Sequence, residues 1–429
     1  MKKRFAITLP IILLIMTLAS GGHARADKML IPMDFNQADH LKAYGVAYHA
    51  LEKGRSVEWL LNYRGGSFLL PADKDILEYA LVRGVVYDTL GSAALLELDA
   101  TIEQSNMSKE FLEKAPKIAV YTPPNMQPWD DAVTLALTYA EIPYDTLWDI
   151  EVFAGNLTEY DWLHLHHEDF TGQYGKFYGS FRYADWYVRQ QAEYESTANK
   201  LGFSKVSEEK KAVAEKIREY VENGGFLFAM CSATDTIDIA LAARGVDIVR
   251  PEFDGDGLDP EYPSKLDYSR TFAFENFSLV IDPLVYEFSD IDVTPVTTNS
   301  ITATADDVVD YFELFEFSAK YDPVPTMLTQ NHENPIMAFM GQTTEYKKDL
   351  IKKNIVIMGE SRKRGTAKYM HGNLGKGTFT FYGGHDPEDY KHIVGDPPTQ
   401  LFLHKNSPGY RLILNNVLFP GAKKKELKT

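Results

Sequence analysis

Cys231 is the only cysteine among the 429 residues, and its thiol is the first candidate nucleophile in the sequence. It follows an apolar run at 224–230 that predicts a buried strand, and it precedes a run with helical periodicity at 232–241. This order predicts a nucleophile elbow, a sharp strand-to-helix turn that aims backbone N–H groups and the positive end of the helix dipole at the atom under attack. A thiol at such a turn favours the reactive thiolate. We therefore predict that Cys231 is catalytic and that Ser232 contributes to the substrate site.

His385 is the leading candidate for the base that an activated thiol needs. It follows a predicted strand and two glycines, and Gly384 permits a close backbone approach at the site. Functional sites of parallel α/β sheets form at the carboxyl ends of the strands, so we expect His385 to lie near Cys231. Either Asp386 or Glu388 would then orient the imidazole ring.

A second cluster of polar side chains ends another predicted strand, and its members are His164, His166, His167 and Glu168. His164 and His166 share one face of the strand, and imidazoles at that spacing beside a carboxylate can hold zinc. Alternatively, the loop faces Cys231 and binds substrate, with backbone N–H groups around Gly172 and Gly175 completing an oxyanion hole. A polar strand end without a function is the third interpretation.

Strands alternate with helices from about residue 117 onward, which predicts an α/β fold with a parallel sheet flanked by helices. The predicted organisation has a signal peptide, an N-terminal unit, a core in two pieces and an insertion. We assign a removable signal peptide to 1–26, a small α/β cap to 27–114, the core to 115–250 and 335–420, and an acidic β-rich insertion or lid to 251–334.

The first 26 residues have a basic start, an apolar stretch and a cleavage-site pattern at Ala24-Arg25-Ala26. We therefore expect a periplasmic or secreted protein that is not inserted in the membrane after cleavage. Structural cysteines in an oxidising compartment normally occur in pairs. A lone Cys231 is then either an inert buried thiol or a functional one.

Charge narrows the classes of partner. The whole chain has a net charge of −17, and removal of 1–26 takes away four basic residues and no acidic ones, which leaves about −21. Such a surface repels nucleic acid and anionic lipid. The sequence has no phosphate-binding loop, and we predict no cofactor. A small molecule, a glycan or a peptide is the expected substrate, and the oligomeric state is open.

The elbow cysteine and a histidine followed closely by Pro-Glu together resemble the class I glutamine amidotransferase-like superfamily, particularly its trehalose-utilisation-like branch. The resemblance covers about 117–250 and 335–420. It implies a flavodoxin-like core in which Cys231 is the nucleophile, His385 the base and Glu388 the orienting acid.

Two positions depart from the superfamily pattern. The family elbow reads Gly-x-Cys-x-Gly, whereas Ala229 and Ala233 stand in the glycine positions here. The family histidine and glutamate are two residues apart, whereas both Asp386 and Pro387 separate them here. These departures leave the third catalytic position open between the two acids.

The whole chain is also similar to exported bacterial proteins that carry the label asparagine synthetase B. A glutamine-dependent asparagine synthetase needs a cysteine at the mature N-terminus and a Ser-Gly-Gly-x-Asp-Ser loop for ATP. Cleavage after Ala26 would expose Asp27, and the ATP loop does not occur in the sequence. The motifs therefore do not support an ATP-dependent synthetase.

Three functional hypotheses follow. The first is an exported cysteine hydrolase of an amide or related acyl bond that uses Cys231, His385 and an acid. The second is a non-catalytic sugar- or peptide-binding protein on the same fold. The third is a metal-assisted hydrolase built on His164 and His166. Whether the chain is an enzyme is open at this stage.

Overall fold

The computed structural model describes residues 28–125, 127–293, 310–390 and 393–423. The predicted signal peptide lies outside them. The described strands are β1 Lys28–Ile31, β2 Val57–Leu61, β3 Ser67–Pro71, β4 Asp88–Leu90, β5 Ser108–Leu112, β6 Ile118–Tyr121, β7 Asp145–Leu147, β8 Trp162–Leu165, β9 Phe226–Met230, β10 Tyr311–Leu314, β11 Ile336–Met337, β12 Tyr346–Lys347, β13 Val356–Ser361, β14 Thr366–Leu374 and β15 Gly377–Tyr382.

The α-helices of the same residues connect these strands and cover the sheets. They are α1 His40–Glu52, α2 Lys74–Val82, α3 Ser92–Gln104, α4 Ala132–Ala140, α5 Asp149–Phe153, α6 Tyr178–Phe181, α7 Asp185–Lys200, α8 Val206–Glu222, α9 Ala233–Ala242, α10 Pro251–Asp254, α11 Tyr262–Lys265, α12 Pro323–Leu328 and α13 Pro408–Leu418.

The N-terminal unit is an antiparallel sheet with the strand order β4-β1-β3-β2-β5. Helix α1 begins where the Asp39 side chain accepts the backbone N–H of Lys42, a common N-cap arrangement. The helix contacts α4 and α13 as well as strands of its own sheet. Its buried Tyr44 donates a hydrogen bond to Asn415 of α13. The N-terminal unit therefore shares a hydrophobic core with the rest of the chain.

The larger sheet is mixed, with the order β11-β10-β13-β14-β15-β9-β8-β6-β7 and β12 paired with β14. The five neighbours β15, β9, β8, β6 and β7 run parallel. The other pairings are antiparallel because β14 and β15 form a hairpin that turns at Gly375-Lys376 and leads outward to β13 and β10. The prediction of a parallel sheet is therefore wrong for the sheet as a whole, while the α/β class is confirmed.

Strands at the centre of this sheet are buried on both faces. Along β9, Phe228 and Met230 join one hydrophobic cluster, whereas Leu227 and Ala229 join another on the opposite side. This alternation follows from the two-residue period of a strand. It explains why the run reads as continuously apolar, as is typical of strands covered by helices on both sides.

The segment predicted as a β-rich insertion has little strand structure in its described part. Of 251–334, residues 294–309 lie outside the described ranges, and the rest contain β10 with the short helices α10, α11 and α12. Turns and isolated bridges connect these elements. In the described part of this segment, β10 joins the large sheet, and buried aromatic residues between the short elements pack into the core.

Among the described residues, we find no helix whose length and apolar character would let it cross a lipid bilayer.

Acid should destabilise the fold through His371, which is buried on β14 with Nδ1 3.0 Å from the hydroxyl of Thr380 on β15. Burial lowers the pKa of His371 to about 4, whereas a histidine in the unfolded chain titrates near about 6.5. Between these pH values the unfolded chain binds a proton that the folded chain does not. Stability from this residue is therefore complete above about pH 6.5 and falls by about 1.4 kcal/mol per pH unit down to about pH 4.

Denaturant unfolding of the wild type and His371→Gln at pH 7, 5.5 and 4 measures this contribution. We expect the stability difference between the two proteins to shrink on acidification, because glutamine cannot titrate. Other buried groups titrate equally in both proteins. A difference that stays constant across the three pH values would contradict the assignment.

Candidate functional site

Cys231 occupies the sharp turn between β9 and α9. Its φ of +50° lies in the left-handed region, which costs a residue with a side chain about 1 kcal/mol. The turn is held because the Cys231 N–H donates to the carbonyl of Gly384 at 3.1 Å and the Ala233 N–H donates to the carbonyl of His166 at 3.0 Å. The backbone has the elbow geometry that the sequence predicts, with alanine accepted where the family pattern has glycine.

The parallel pairing of β9 and β15 brings the histidine loop to the thiol. Met230 and Tyr382 are paired residues at the ends of these strands, so the two chains leave the sheet side by side. Gly384 has a φ of +95°, and a Cβ there would lie 2.5 Å from the ring of Phe339. The glycine is therefore needed for the close approach of this loop.

His385 lies between the thiol and a carboxylate. Its buried ring interacts with the Cys231 side chain, and its Nε2 lies 3.3 Å from Oδ1 of Asp130. Burial and the nearby His166 lower the pKa of His385, but the interactions with Asp130 and Cys231 outweigh them, so that its net pKa is raised. A ring with a raised pKa between a thiol and a carboxylate can hold the proton that leaves the sulfur.

Asp130 was not among the predicted residues. It lies in the loop between β6 and α4, and its Oδ2 accepts the backbone N–H of Thr399 at 3.1 Å. Burial raises the pKa of Asp130, but the hydrogen bond to His385, the charge of that ring and the Thr399 N–H together outweigh burial, and the pKa is lowered overall. The available signal was the Asp-Asp pair directly before the first apolar residue of α4, since aspartate often precedes helices and β6 ends at the same sheet edge.

The predicted third members of the triad have other partners. Glu388 accepts the Tyr390 hydroxyl at 3.0 Å and lies 2.9 Å from Nδ1 of His404. Asp386 is buried and accepts the Glu388 backbone N–H at 2.8 Å. That contact closes a tight turn at 386–388. Asp130 replaces both acids as the carboxylate next to His385.

His164 and His166 form a buried network with Asp131, as the predicted spacing on one strand face allows. Oδ2 of Asp131 lies 3.4 Å from Nε2 of His164 and 3.4 Å from Nδ1 of His166. The other nitrogen of His164 lies 3.1 Å from the carbonyl of Phe228. Burial raises the pKa of Asp131, but the two histidines outweigh it and hold that pKa well below its usual range. His164 is thus fully engaged inside the protein, one layer behind the thiol site.

His167 and Glu168 continue this loop toward the site. The His167 ring centroid is 5.9 Å from that of His385. Glu168 accepts the backbone N–H of His166 at 2.8 Å, and burial, assisted by the charge of Asp131, raises the pKa of Glu168 to about 8. A carboxyl that is neutral near pH 7 shapes the loop and is buried away from solvent.

The predicted oxyanion role of the two glycines is not supported by their contacts. The Gly175 N–H donates to Asp169 at 3.0 Å, so it is occupied. Gly172 approaches the backbone of Ser207 so closely that a Cβ would lie 2.5 Å from its Cα. Both glycines allow a compact loop, with φ values of +72° for Gly175 and +80° for Gly172, and an oxyanion role for the Gly172 N–H stays a prediction.

Two other N–H groups are better placed at the thiol. The Gln342 N–H donates to Sγ of Cys231 at 3.3 Å. The Ser232 N–H is the first amide after Cys231, the position at which elbow enzymes have an oxyanion donor. Gln342 could not be located from sequence because its loop reaches the thiol from beyond the segment predicted as an insertion.

A buried lysine holds the Gln342 loop in place. The Lys368 ammonium donates to the carbonyls of Phe339 at 2.6 Å and Thr344 at 2.9 Å. Burial lowers the pKa of Lys368 to about 8. The loop therefore covers the thiol in a defined position, and Cys231 is only 1% exposed.

Two cavities flank the covered thiol. One has a volume of about 230 Å³, and its lining includes His385 and the carboxylates Asp130, Glu388, Asp389 and Asp396. The other has a volume of about 490 Å³ and is lined by Gln342, by apolar and aromatic side chains, and by the polar or charged residues Lys176, Ser180 and Glu287. Ile393 borders both cavities, so they adjoin on the surface over the site.

Comparisons with known proteins give no family. No family model and no curated protein matches this chain. Two solved cytoplasmic proteins, one from Salmonella typhimurium and one from Salmonella typhimurium LT2, are 10% and 13% identical, each covering 72% of this chain and 100% of its own, with TM-scores of 0.36 and 0.35. The GH42 beta-galactosidase Gan42B of G. stearothermophilus is 10% identical over 64% of this chain and 28% of its own, with a TM-score of 0.27. Likenesses at this level carry no argument about activity.

Proposed function

We propose that this chain is a cysteine-dependent hydrolase of amide or related acyl bonds. The observation that carries the proposal is the position of His385, whose ring interacts with the side chain of Cys231 and lies 3.3 Å from Asp130. A nucleophile, a base and an orienting carboxylate in this order are the parts that acyl transfer needs.

In the proposed reaction, Sγ of Cys231 attacks the carbonyl carbon while His385 takes the thiol proton. The carbonyl oxygen becomes an oxyanion, which the N–H groups of Ser232 and Gln342 stabilise. His385 then gives its proton to the departing amine, and a thioester remains on the sulfur. Water, deprotonated by His385, hydrolyses the thioester and restores the thiol. Asp130 keeps the ring oriented throughout.

The charge of the adjoining cavities favours a substrate class. Four carboxylates line the 230 Å³ cavity beside His385, and this surface disfavours an anionic group next to the reacting bond. We propose a neutral or cationic substrate with a small group on the acidic side and an apolar group against the Gln342 side. A small molecule, a glycan fragment or a short peptide fits these terms.

The same proposal includes the fold of the core and the location of the protein. The five parallel strands, with the thiol at the end of β9, support a flavodoxin-like core of the class I glutamine amidotransferase-like type. The N-terminal pattern at 1–26 supports export to the periplasm or the exterior. We do not propose ATP-dependent asparagine synthesis.

A second candidate is a non-catalytic binding protein, and the cover over the thiol favours it. Sγ of Cys231 receives the Gln342 N–H, and the side chain is 1% exposed. In this alternative the two cavities hold a ligand and the thiol stays inert. The two functions differ in whether bond cleavage depends on the sulfur.

The test is hydrolysis of a panel of small amides and esters by the wild type, Cys231→Ser and Cys231→Ala. We expect release of ammonia, amine or alcohol by the wild type, with neutral and cationic members preferred over anionic ones, and at least a hundredfold loss in both variants. Ligand-induced thermal stabilisation without turnover would favour the binding protein. Turnover that survives both substitutions would contradict the thiol mechanism.

A further inference from the structure

Three imidazoles converge beside the thiol. The ring centroids of His166 and His385 are 4.5 Å apart, those of His166 and His167 are 5.0 Å apart, and those of His167 and His385 are 5.9 Å apart. One nitrogen from each ring lies within 4.8 Å of the other two. Nitrogens that share a tetrahedral zinc ion lie about 3.4 Å apart, given Zn–N bonds of about 2.0–2.1 Å. Ring movements of about 1 Å would therefore bring the three to one ion.

Two nitrogens on these three rings lack a hydrogen-bond partner in the described part of the chain. Nε2 of His166 and Nδ1 of His167 are both buried from solvent without one. An unsatisfied buried polar atom costs about 1–3 kcal/mol, and native proteins contain few of them. A bound cation would satisfy both nitrogens, since a neutral imidazole presents a lone pair to a metal.

A carboxylate lies within 3.4 Å of one ring nitrogen in two of the three histidines. Nδ1 of His166 lies 3.4 Å from Asp131, and Nε2 of His385 lies 3.3 Å from Asp130. Histidines that bind metals usually place the second ring nitrogen against a carboxylate, which fixes the ring and makes it a stronger ligand. Consecutive aspartates before α4 provide this contact for two of the three rings.

We propose that His166, His167 and His385 bind one divalent transition-metal cation of the zinc type. Imidazole nitrogen suits Zn²⁺, Cu²⁺ and Ni²⁺ and disfavours Mg²⁺ and Ca²⁺. Binding engages the ring that would otherwise take the proton of Cys231, so the cation inhibits the thiol. This second clause rests on the proposed hydrolase function, whereas the metal site stands without it.

The site differs from another cluster of potential ligands in the chain. Asp247, Asp254 and Asp256 also lie close together, but the Lys205 ammonium is within 2.5–3.2 Å of all three carboxylates. The lysine already neutralises them. Asp256 therefore offers a control position at which loss of a carboxylate should leave zinc binding unchanged.

Equilibrium dialysis of the untagged protein against Zn²⁺, with metal measured by mass spectrometry, tests the site. We expect one equivalent in the wild type, in Cys231→Ser and in Asp256→Asn, and at least tenfold weaker binding in His166→Ala and His167→Gln. Asp131→Asn should weaken binding about 10- to 100-fold. His167 is half-buried, so its variant remains informative if His166→Ala fails to fold. Binding that survives in His167→Gln, or that is lost in Cys231→Ser, overturns the three-imidazole site.

The rate of iodoacetamide alkylation of Cys231, with and without Zn²⁺, tests the inhibition. We expect the metal to slow alkylation at least tenfold in the wild type and to lose this effect in His167→Gln, each protein being compared with its own metal-free rate. Stoichiometric binding with an unchanged rate overturns the link to His385. Slow alkylation of the metal-free wild type counts against the proposed hydrolase alone, and the dialysis result still decides the site.

Discussion

Replacing His385 with alanine is expected to slow the alkylation of Cys231 by iodoacetamide about 10- to 100-fold at pH 6.5. An isolated thiol with the ordinary pKa of about 8.5 is only about 1% thiolate at that pH. In the wild type, His385 can hold the thiol proton because Asp130 and the sulfur raise its pKa against the effect of burial. The chain has a single cysteine, so intact-protein mass spectrometry follows the reaction directly.

The control is His404→Ala, which removes a partly exposed histidine bonded to Glu388 and should leave the rate within about twofold. Alanine at position 385 opens space beside the thiol, and better access would speed the reaction. A slower rate therefore reports the loss of the base. Equal rates in the wild type and His385→Ala would mean that the ring does not act on the sulfur.

Asp130→Asn is expected to slow the same reaction at least tenfold, whereas Glu388→Gln should leave it within about twofold. The two side chains are matched in exposure, 17% for Asp130 and 11% for Glu388, and both substitutions replace a carboxylate with an amide of the same shape. Asp130 is hydrogen-bonded to His385 through a carboxylate oxygen at 3.3 Å, whereas Glu388 accepts the Tyr390 hydroxyl and lies 2.9 Å from His404. The hydrogen bond to Asp130 raises the pKa of His385, so the asparagine variant should lower that pKa and move the alkylation profile to higher pH.

The pH profiles from 5 to 9 of both variants, measured by stopped alkylation and mass spectrometry, check this prediction. Unfolding curves establish that each variant is folded. A strong effect of Glu388→Gln with none of Asp130→Asn would restore the acid that the family resemblance implies and contradict the geometry described above.

The proximity of Cys231 and His385 could be predicted because both signals are local. An apolar strand followed at once by a helix defines the turn at Cys231, and a Gly-Gly pair before His385 marks a close backbone approach. Both residues follow strands that pair in parallel, β9 and β15. Parallel strands of an α/β fold end at the same edge of the sheet. The fold class alone therefore predicts that these two residues lie close together.

Asp130 was missed because its contact depends on the strand order. β6 lies two strands from β9, with β8 between them, and no local pattern states that order. The partners of Glu388 also depend on a local feature. The extra residue after His385 allows Asp386 to cap the Glu388 N–H, and this turn sends the glutamate toward His404.

The strand order of the mixed sheet was also not predictable from local sequence patterns. The hairpin β14–β15 was predictable from its turn at Gly375, yet its place inside the large sheet was not, since hairpins also occur as separate ribbons. The covering loop around Gln342 depends on the buried Lys368, whose position among backbone carbonyls has no sequence signature. The strand ends were therefore predictable, whereas the sheet order and the cover over the thiol were not.

The most direct test of the account is the alkylation rate of Cys231 in the wild type, His385→Ala, Asp130→Asn and the double variant at pH 6.5. If Asp130 acts through His385, its substitution should have almost no further effect once the histidine is gone, so the double variant should react at the rate of His385→Ala. If the two single effects multiply in the double variant, the carboxylate and the imidazole act independently, and the proposed Cys231–His385–Asp130 arrangement is wrong.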